Sequence, residues 1–182
     1  GDLLAVLGKG RLVKLDKNSK QIWYRKGGYH HDLEVAKNGD IYVLRDGSRT
    51  APAATKKIIR NFPDKFLDNF ITVLTPEGET KQNFSIFDCI FFSDYQPLLQ
   101  DKIRSTRKGD ILHTNTIELI KEDEDRHFPP FREGCLLLSF RHLHAIAVID
   151  PATRKVTWAA AGMWAYQHQP TILPGGNVLL FD

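Results

Sequence analysis

One stretch of this chain returns near its end: YHHDLEVAKNGDIYVL at residues 29–44 and YQHQPTILPGGNVLLF at 166–181. With His31 set on His168, Tyr29 falls on Tyr166, Val35 on Ile172, Gly39 on Gly176, Asp40 on Asn177 and Ile41 on Val178. A third copy begins at His113 in HTNTIEL, where Ile117 takes the place of Val35 and Ile172. Its turn glycine, Gly134, is delayed by the acidic, proline-containing insertion KEDEDRHFPPF. A second element recurs as well: RLVKLDKNSKQIWYR (11–25) matches AIAVIDPATRKVTWAA (145–160) and, more loosely, FITVLTPEGETKQNF (70–84). Each reads as an alternating strand, a turn with Asp, Pro, Asn or Gly, and a second strand, the pattern of a β-hairpin. Self-similarity of this kind restricts a chain to architectures assembled from repeated supersecondary units.

The repeating unit holds four strands. The first complete copy is HDLEVAK, DIYVLRD, FITVLTP and TKQNFSI, and the second is HTNTIEL, CLLLSFR, AIAVIDP and KVTWAAA. The chain opens with the last three strands of an earlier unit and closes with the first two of a later one. Repeated four-stranded antiparallel units predict an all-β fold, a β-propeller. A sandwich also has many short strands, but gives no reason for polar residues to recur at the start of each unit.

The predicted layout is a single partial propeller over 1–182. It has a partial blade at 1–27, a blade at 28–87, a helical insertion at 85–110, a blade at 111–160 and a partial blade at 161–182. About three blades' worth of strands do not close a ring of roughly four to eight. The expectation is therefore a piece of a larger propeller, or two copies completing one another as a homodimer. SIFDCIFFSDYQPLLQDKI (85–103) spaces Phe87, Ile90, Phe91, Leu98, Leu99 and Ile103 close to the helical period, and is expected to pack on the outside of the ring. APAATKKIIRNFPDKF (51–66) reads as a surface insertion.

With 42% hydrophobic and 26% charged residues, the chain has the balance of a folded globular protein. A formal charge of +3, with no Lys/Arg block interleaved with aromatics, gives no support to a nucleic-acid partner. The run KIRSTRKGD (102–110) reads as a solvated loop. No segment approaches the roughly 18 apolar residues that a membrane span needs. Cys89 and Cys135 each lie in an apolar run, where buried free thiols are expected.

In a propeller the first strand of each blade lines the central channel, so equivalent positions of successive blades face one axis. His31, His113 and His168 are therefore expected at one channel mouth. Imidazoles there are costly unless used or hydrogen-bonded; the plain role for any one of them is to cap a loop and bond the next blade. Asn115, two residues after His113, is expected on the same side of its strand. Arg141, at the turn in LSFRHLHAIAV, either bonds that turn or points into the channel. Asp32 faces away from its neighbour His31 on a strand and is expected to brace the loop. His142 and His144 are expected to support Arg141 or to face solvent, and His127 to be solvated. Trp158, Trp164 and Tyr166 are expected to pack between blades, an aromatic wall at the site being the alternative.

Donors surrounding few carboxylates suit an anion. Arginine grips a tetrahedral oxyanion with a planar fork, while His and Asn add donors where charge develops. A histidine also serves as a nucleophile that takes a group covalently and passes it on. Two other readings stand beside this one. Three histidines could hold a divalent metal, although their spacing is no local ligand motif and a guanidinium repels a cation. The other is a non-catalytic binding or scaffold module, against which the common register of the three histidines argues.

HHD with NG following, the HTN tripeptide, the arginine of LLLSFRHLHAIAVID and the W…QHQP…GGNVLLFD ending together resemble the arylsulfotransferase family of bacterial sulfotransferases, from about Leu12 to Asp182. The resemblance implies a six-bladed propeller with its active site in the central channel. It implies an aryl sulfate ester as donor in place of a nucleotide sulfate, a phenol as acceptor, and a ping-pong route with neither metal nor cofactor. Carried over by motif, His168 is the sulfated histidine. His31, His113 and Arg141, with Asn115, bind the sulfuryl oxygens and help protonate the leaving phenolate; His30 and Tyr166 complete the substrate-binding set. His31 is preferred over His30 because it keeps the register with His168. The family pattern usually has Asp where Gln169 stands here, and draws a further site residue from a segment past Asp182. The resemblance also implies an exported protein, periplasmic or secreted.

Overall fold

The middle strands of each unit carry the longest apolar runs because they are covered on both faces. The computed structural model describes residues 1–100, 109–121 and 129–182. A first sheet joins β1 (Leu3–Leu7), β2 (Arg11–Leu15) and β3 (Gln21–Lys26). A second joins β4 (Tyr29–Val35), β5 (Ile41–Thr50), β6 (Lys65–Leu74) and β7 (Thr80–Ser85). A third joins β8 (Thr114–Leu119), β9 (Leu136–Phe140), β10 (Ala145–Asp150) and β11 (Lys155–Ala161). The last is the pair β12 (His168–Ile172) and β13 (Val178–Phe181). Every pairing within these sheets is antiparallel and between neighbours in sequence. The expected all-β array of four-stranded blades is therefore present, as three strands of one blade, two whole blades and two strands of another. All of β9, and β10 up to Ile149, are buried.

The inner strands β4, β8 and β12 stand side by side and are sewn together by side chains that take backbone N–H groups of the next blade. Asp32 Oδ2 accepts from Ile117 N (3.1 Å), Thr116 Oγ1 from Gln169 N (3.0 Å) and Glu118 Oε1 from Ile172 N (3.2 Å). Asp32 braces its own loop, as expected, by accepting from Leu33 N at 2.9 Å, and it also braces the blade junction. At the outer side of the first junction, Trp23 Nε1 donates to Pro76 O across 3.0 Å. Cys89 and Cys135 are buried free thiols, and burial first, then Asp88, pushes the Cys89 thiol up to about 12.

Two expectations need correction. The insertion at 51–66 is mostly exposed, as a surface insertion should be, but part of it belongs to the core. β5 and β6 run on to pair Thr50 with Lys65, and α1 (Ala53–Ile58) caps the hairpin. Ala51, Ile59, Phe62 and Phe66 are buried, and the Phe62, Phe66 and Phe87 rings meet at 5.0–5.3 Å. The apolar spacing of Ile59, Phe62 and Phe66 is one helix-like face, and it needs a cover.

The helix expected over 85–103 is shorter. α2 (Ile86–Phe91) starts at Ser85, whose Oγ accepts from Asp88 N (2.9 Å) as an N-cap. It ends before Pro97, which lacks the N–H a longer helix would need, and Gln96–Leu99 forms a 3-10 turn instead. α2 does not lie over an outer surface. Ile86, Phe87, Cys89, Ile90 and Phe91 are buried in one cluster with Ile71 of β6, Leu138 of β9 and Val156 of β11, so the helix is wedged between the two whole blades. Ile103, the basic run at 102–108 and the acidic insertion at 122–128 with His127 lie outside the described residues.

Candidate active site

The register of the three inner strands differs from the repeat read in the sequence. Ala36 N donates to Asp40 O, Ile120 N to Cys135 O and Leu173 N to Asn177 O, closing the three hairpins alike. Val35, Leu119 and Ile172 are thus equivalent, paired with Ile41, Leu136 and Val178. Counting back, Asn115 takes the place of His31 and His168, and His113 stands two residues earlier, level with Tyr29 and Tyr166. Ile117 is not the counterpart of Val35, because the insertion before Gly134 hides the turn from which the register is counted.

His113 reaches the site all the same, through local backbone distortion. Each inner strand breaks its ladder at the same end: between Tyr29 and Leu33, between Thr114 and Thr116, and between His168 and Thr171. His31, His113 and Gln169 sit there in the left-handed region, at φ of 55°, 48° and 51°. Such φ values are uncommon for residues other than glycine and persist only where the surroundings impose them. Bulges re-aim side chains, so the strict alternation that would separate His30 from His31 fails. Their Nδ1 atoms lie 2.7 Å apart.

The imidazoles form a contiguous row. Ring centroids are 5.0 Å apart for His30 and His31, 5.2 Å for His31 and His113, and 4.7 Å for His113 and His142. Burial, then the charges of His113 and His168, and more weakly Arg141, hold His31 below its ordinary value. Burial first, then His31, takes His30 down to about 4, so both act as neutral groups near pH 7. The Arg141 guanidinium stacks 4.5 Å over the Tyr166 ring, which is 54% exposed, and His144 Nδ1 accepts from Tyr166 N (3.1 Å). Trp158 and Trp164 pack against the Ile120–Phe131–Ile172 cluster, away from this stack.

Asn115 is brought to the site's edge but turned inward. It is 6% exposed, its Nδ2 donates to Gln167 O (2.9 Å), and its Oδ1 accepts from Thr116 Oγ1 (3.1 Å). It does not share an open face with His113, as simple alternation had suggested.

Two participants escape the sequence reading. Asp110, three residues before His113 and next to Gly109, clamps that histidine: Oδ2 meets His113 Nδ1 at 2.5 Å and Oδ1 accepts His113 N at 3.2 Å. Its carbonyl accepts from His142 Nδ1 at 2.7 Å. Burial would raise the Asp110 carboxyl, but the hydrogen bond and charge of His113, with His142, hold it below the usual range. Gln167, fully buried just ahead of His168, ties that peptide to Ser139, Phe140 and Ala145.

Asp110, His113 and His142 offer donor atoms within 4.8 Å of one another. An Asp–His contact of 2.5 Å has the length of a charge-assisted hydrogen bond. Two ligands on one tetrahedral ion, each about 2.0–2.2 Å from it, stand roughly 3.4 Å apart. The Asp110–His113 contact is therefore a direct hydrogen bond, shorter than two ligands sharing one ion would be.

The fold and the site define a class: a β-propeller-type protein that gathers imidazoles from its inner-strand ends and from the Arg141 turn after β9 into one row, with Asp110 as the carboxylate that directly binds this row among the described residues. The chain matches the arylsulfotransferase (ASST) family over residues 3–182 and belongs to that family. Membership points to a sulfotransferase-like enzyme acting on small aromatic substrates, in a family that is generally extracellular or periplasmic. No curated protein matches the chain. Among the described residues no helix is long and apolar enough to cross a membrane.

Proposed function

We propose that this chain carries the sulfuryl-transfer centre of an aryl-sulfate-dependent sulfotransferase, with His168 as the residue that holds the group covalently. The observation that carries the reading is the row of His30, His31, His113 and His142 rings, bonded through His113 O to the Arg141 turn, with Arg141 stacked on Tyr166 two residues before His168. A ring nitrogen of His168 attacks sulfur, the N–S bond forms, and the S–O(aryl) bond breaks with its electron pair on the phenolate oxygen. A proton from a neighbouring imidazole quenches that oxygen. In the second half an acceptor phenol attacks the same sulfur, returns its proton to the imidazole and frees His168. Arg141 faces the sulfuryl oxygens with fixed positive charge, and its stack on Tyr166 keeps the guanidinium plane oriented. Neutral His31 and His30 donate hydrogen bonds without competing for the proton. Asn115 acts through the Gln167 carbonyl, setting the peptide that leads into His168.

The test is to incubate the protein with 4-nitrophenyl sulfate, then digest it and locate added sulfuryl mass. The expected result is an adduct on the peptide containing His168, lost in His168→Ala. Absence of both adduct and phenol release in the unsubstituted protein would remove the reading.

A further inference from the structure

We propose that Asp110 is the positioning residue of this site: it fixes His113 as the proton donor to the leaving phenolate, through a carboxylate–imidazole pair that presents Nε2 to the substrate. The inference rests on the sulfuryl-transfer reading above and adds a division of labour within it.

The geometry is specific. Asp110 holds His113 twice, by its ring at 2.5 Å and by its backbone N–H at 3.2 Å. The backbone bond pins a left-handed residue. The ring bond commits Nδ1–H to Asp110, leaving Nε2 as the nitrogen that carries the transferred proton and gives it up. Asp110 itself is anchored by a parallel bridge to Leu67 of β6. Its carbonyl commits His142 Nδ1 in the same way, and Arg141 N and His142 N bond His113 O and Leu112 O at 3.2 and 3.1 Å. The loop at 110–113 and the Arg141 turn therefore move as one piece, so one carboxylate sets the imidazole and holds the arginine turn beside it.

The electrostatics separate His113 from its neighbours. The titratable and charged groups facing the pair are His30 and His31 from β4, Asp46 from β5, and Arg141 and His142 from the turn after β9. Burial and then the neighbouring imidazoles hold His30 and His31 below their ordinary values. Among these described rings, His113 is the one in contact with a carboxylate, which is the counter-charge an imidazolium needs in a cationic site. The proton passes from His113 Nε2 to the aryl oxygen as the S–O bond breaks, and returns from the acceptor phenol, so each cycle closes without a co-reactant.

The experiment compares phenyl sulfate, whose leaving phenolate needs a proton, with 4-nitrophenyl sulfate, whose leaving group departs without one. Asp110→Asn keeps an acceptor for Nδ1–H but loses the charge. It is expected to slow turnover of phenyl sulfate by about 10- to 100-fold, to slow 4-nitrophenyl sulfate by less than about threefold, and to move the alkaline limb of the phenyl sulfate pH profile downward. Asp110→Glu is expected to restore part of the loss. Nitrogen-15 NMR of His113 reads the ring without any turnover: Nδ1 is expected to keep its proton on both sides of the alkaline limb in the unsubstituted protein while Nε2 gains and loses the transferred one, and the deprotonated ring is expected to be a tautomer mixture in Asp110→Ala. Equal losses on both donors with an unmoved pH limb, or an unchanged His113 tautomer in Asp110→Ala, overturn the proposal. Failure of the parent reading appears separately, as absence of a His168 adduct in the unsubstituted protein, and the NMR measurement still decides what Asp110 does.

Discussion

The Asn115 side-chain amide donates to the backbone carbonyl of Gln167 across 2.9 Å, from the inner strand of one blade to the residue that leads into the next. Ser139 Oγ donates to the same carbonyl at 3.1 Å. Gln167 answers with its own amide, giving to Ala145 O at 2.8 Å and Ser139 Oγ at 3.0 Å. His168 is thus presented by a peptide held from β8, β9 and β10 at once. A nucleophile needs this kind of fixed approach, since small misplacements are costly to rate.

Gln167→Ala removes the donor to Ala145 O and leaves that carbonyl buried without this partner. The expected cost is about 2–3 kcal/mol of unfolding free energy, measured by urea titration, with a matching fall in adduct formation on His168. An unchanged urea midpoint would show that the peptide is held by other means.

Asn115 separates two roles by the kind of damage its loss causes. Held to Gln167, Asn115→Ala lowers stability by about 1–2 kcal/mol and lowers kcat for every donor alike. If the amide instead bound sulfuryl oxygens, KM for aryl sulfates would rise while the melting temperature stayed put. Steady-state kinetics beside thermal denaturation of the same preparation decides between them.

Away from the pole, the second blade carries a buried ionic cluster. Asp68, fully buried, takes Arg49 Nη1 at 2.9 Å and Ser85 Oγ at 2.7 Å, while Arg49 also pairs with Asp88 at 2.9 Å. Burial first raises the Asp68 carboxyl, and Arg49 works against that rise. Removing the guanidinium strands a buried carboxylate, so Arg49→Ala is expected to cost about 3–5 kcal/mol. Asp68→Asn in that background should recover a large part, because an amide carries no charge to strand. A double variant no more stable than Arg49→Ala would show that the charge is not what the arginine serves.

The blade plan was legible because hairpin turns and alternating strands are local signals, and the repeat gave each strand a counterpart. Three things were not. The insertion after Ile120 pushed Gly134 away, so His113 was set in the wrong register by two residues. Bulges leave no local mark, which is why simple alternation puts Asn115 on an open face. Asp110 belongs to no repeat; its one signal is a carboxylate three residues ahead of a site histidine, beside Gly109. In each case the missing information is how the loops fold back on the pole, which strand periodicity does not encode.

His30 makes the site sensitive to acid in a predictable window. Its imidazole is held down to about 4 in the fold, chiefly by burial and then by His31, whereas an unfolded chain takes up that proton near 6.5. Between those values the unfolded state binds more protons, so stability falls as pH drops from about 6.5 to about 4 and levels off below. The shift corresponds to roughly 3 kcal/mol from His30, and His31, lowered for the same reason, adds in the same direction. Urea midpoints measured from pH 7 to pH 4 are expected to decline through this range in the unsubstituted protein. His30→Gln, which does not titrate, should flatten the decline without raising the midpoint at pH 7. A slope equal to that of the unsubstituted protein would mean that the acid sensitivity comes from other groups and that His30 is not held neutral by burial.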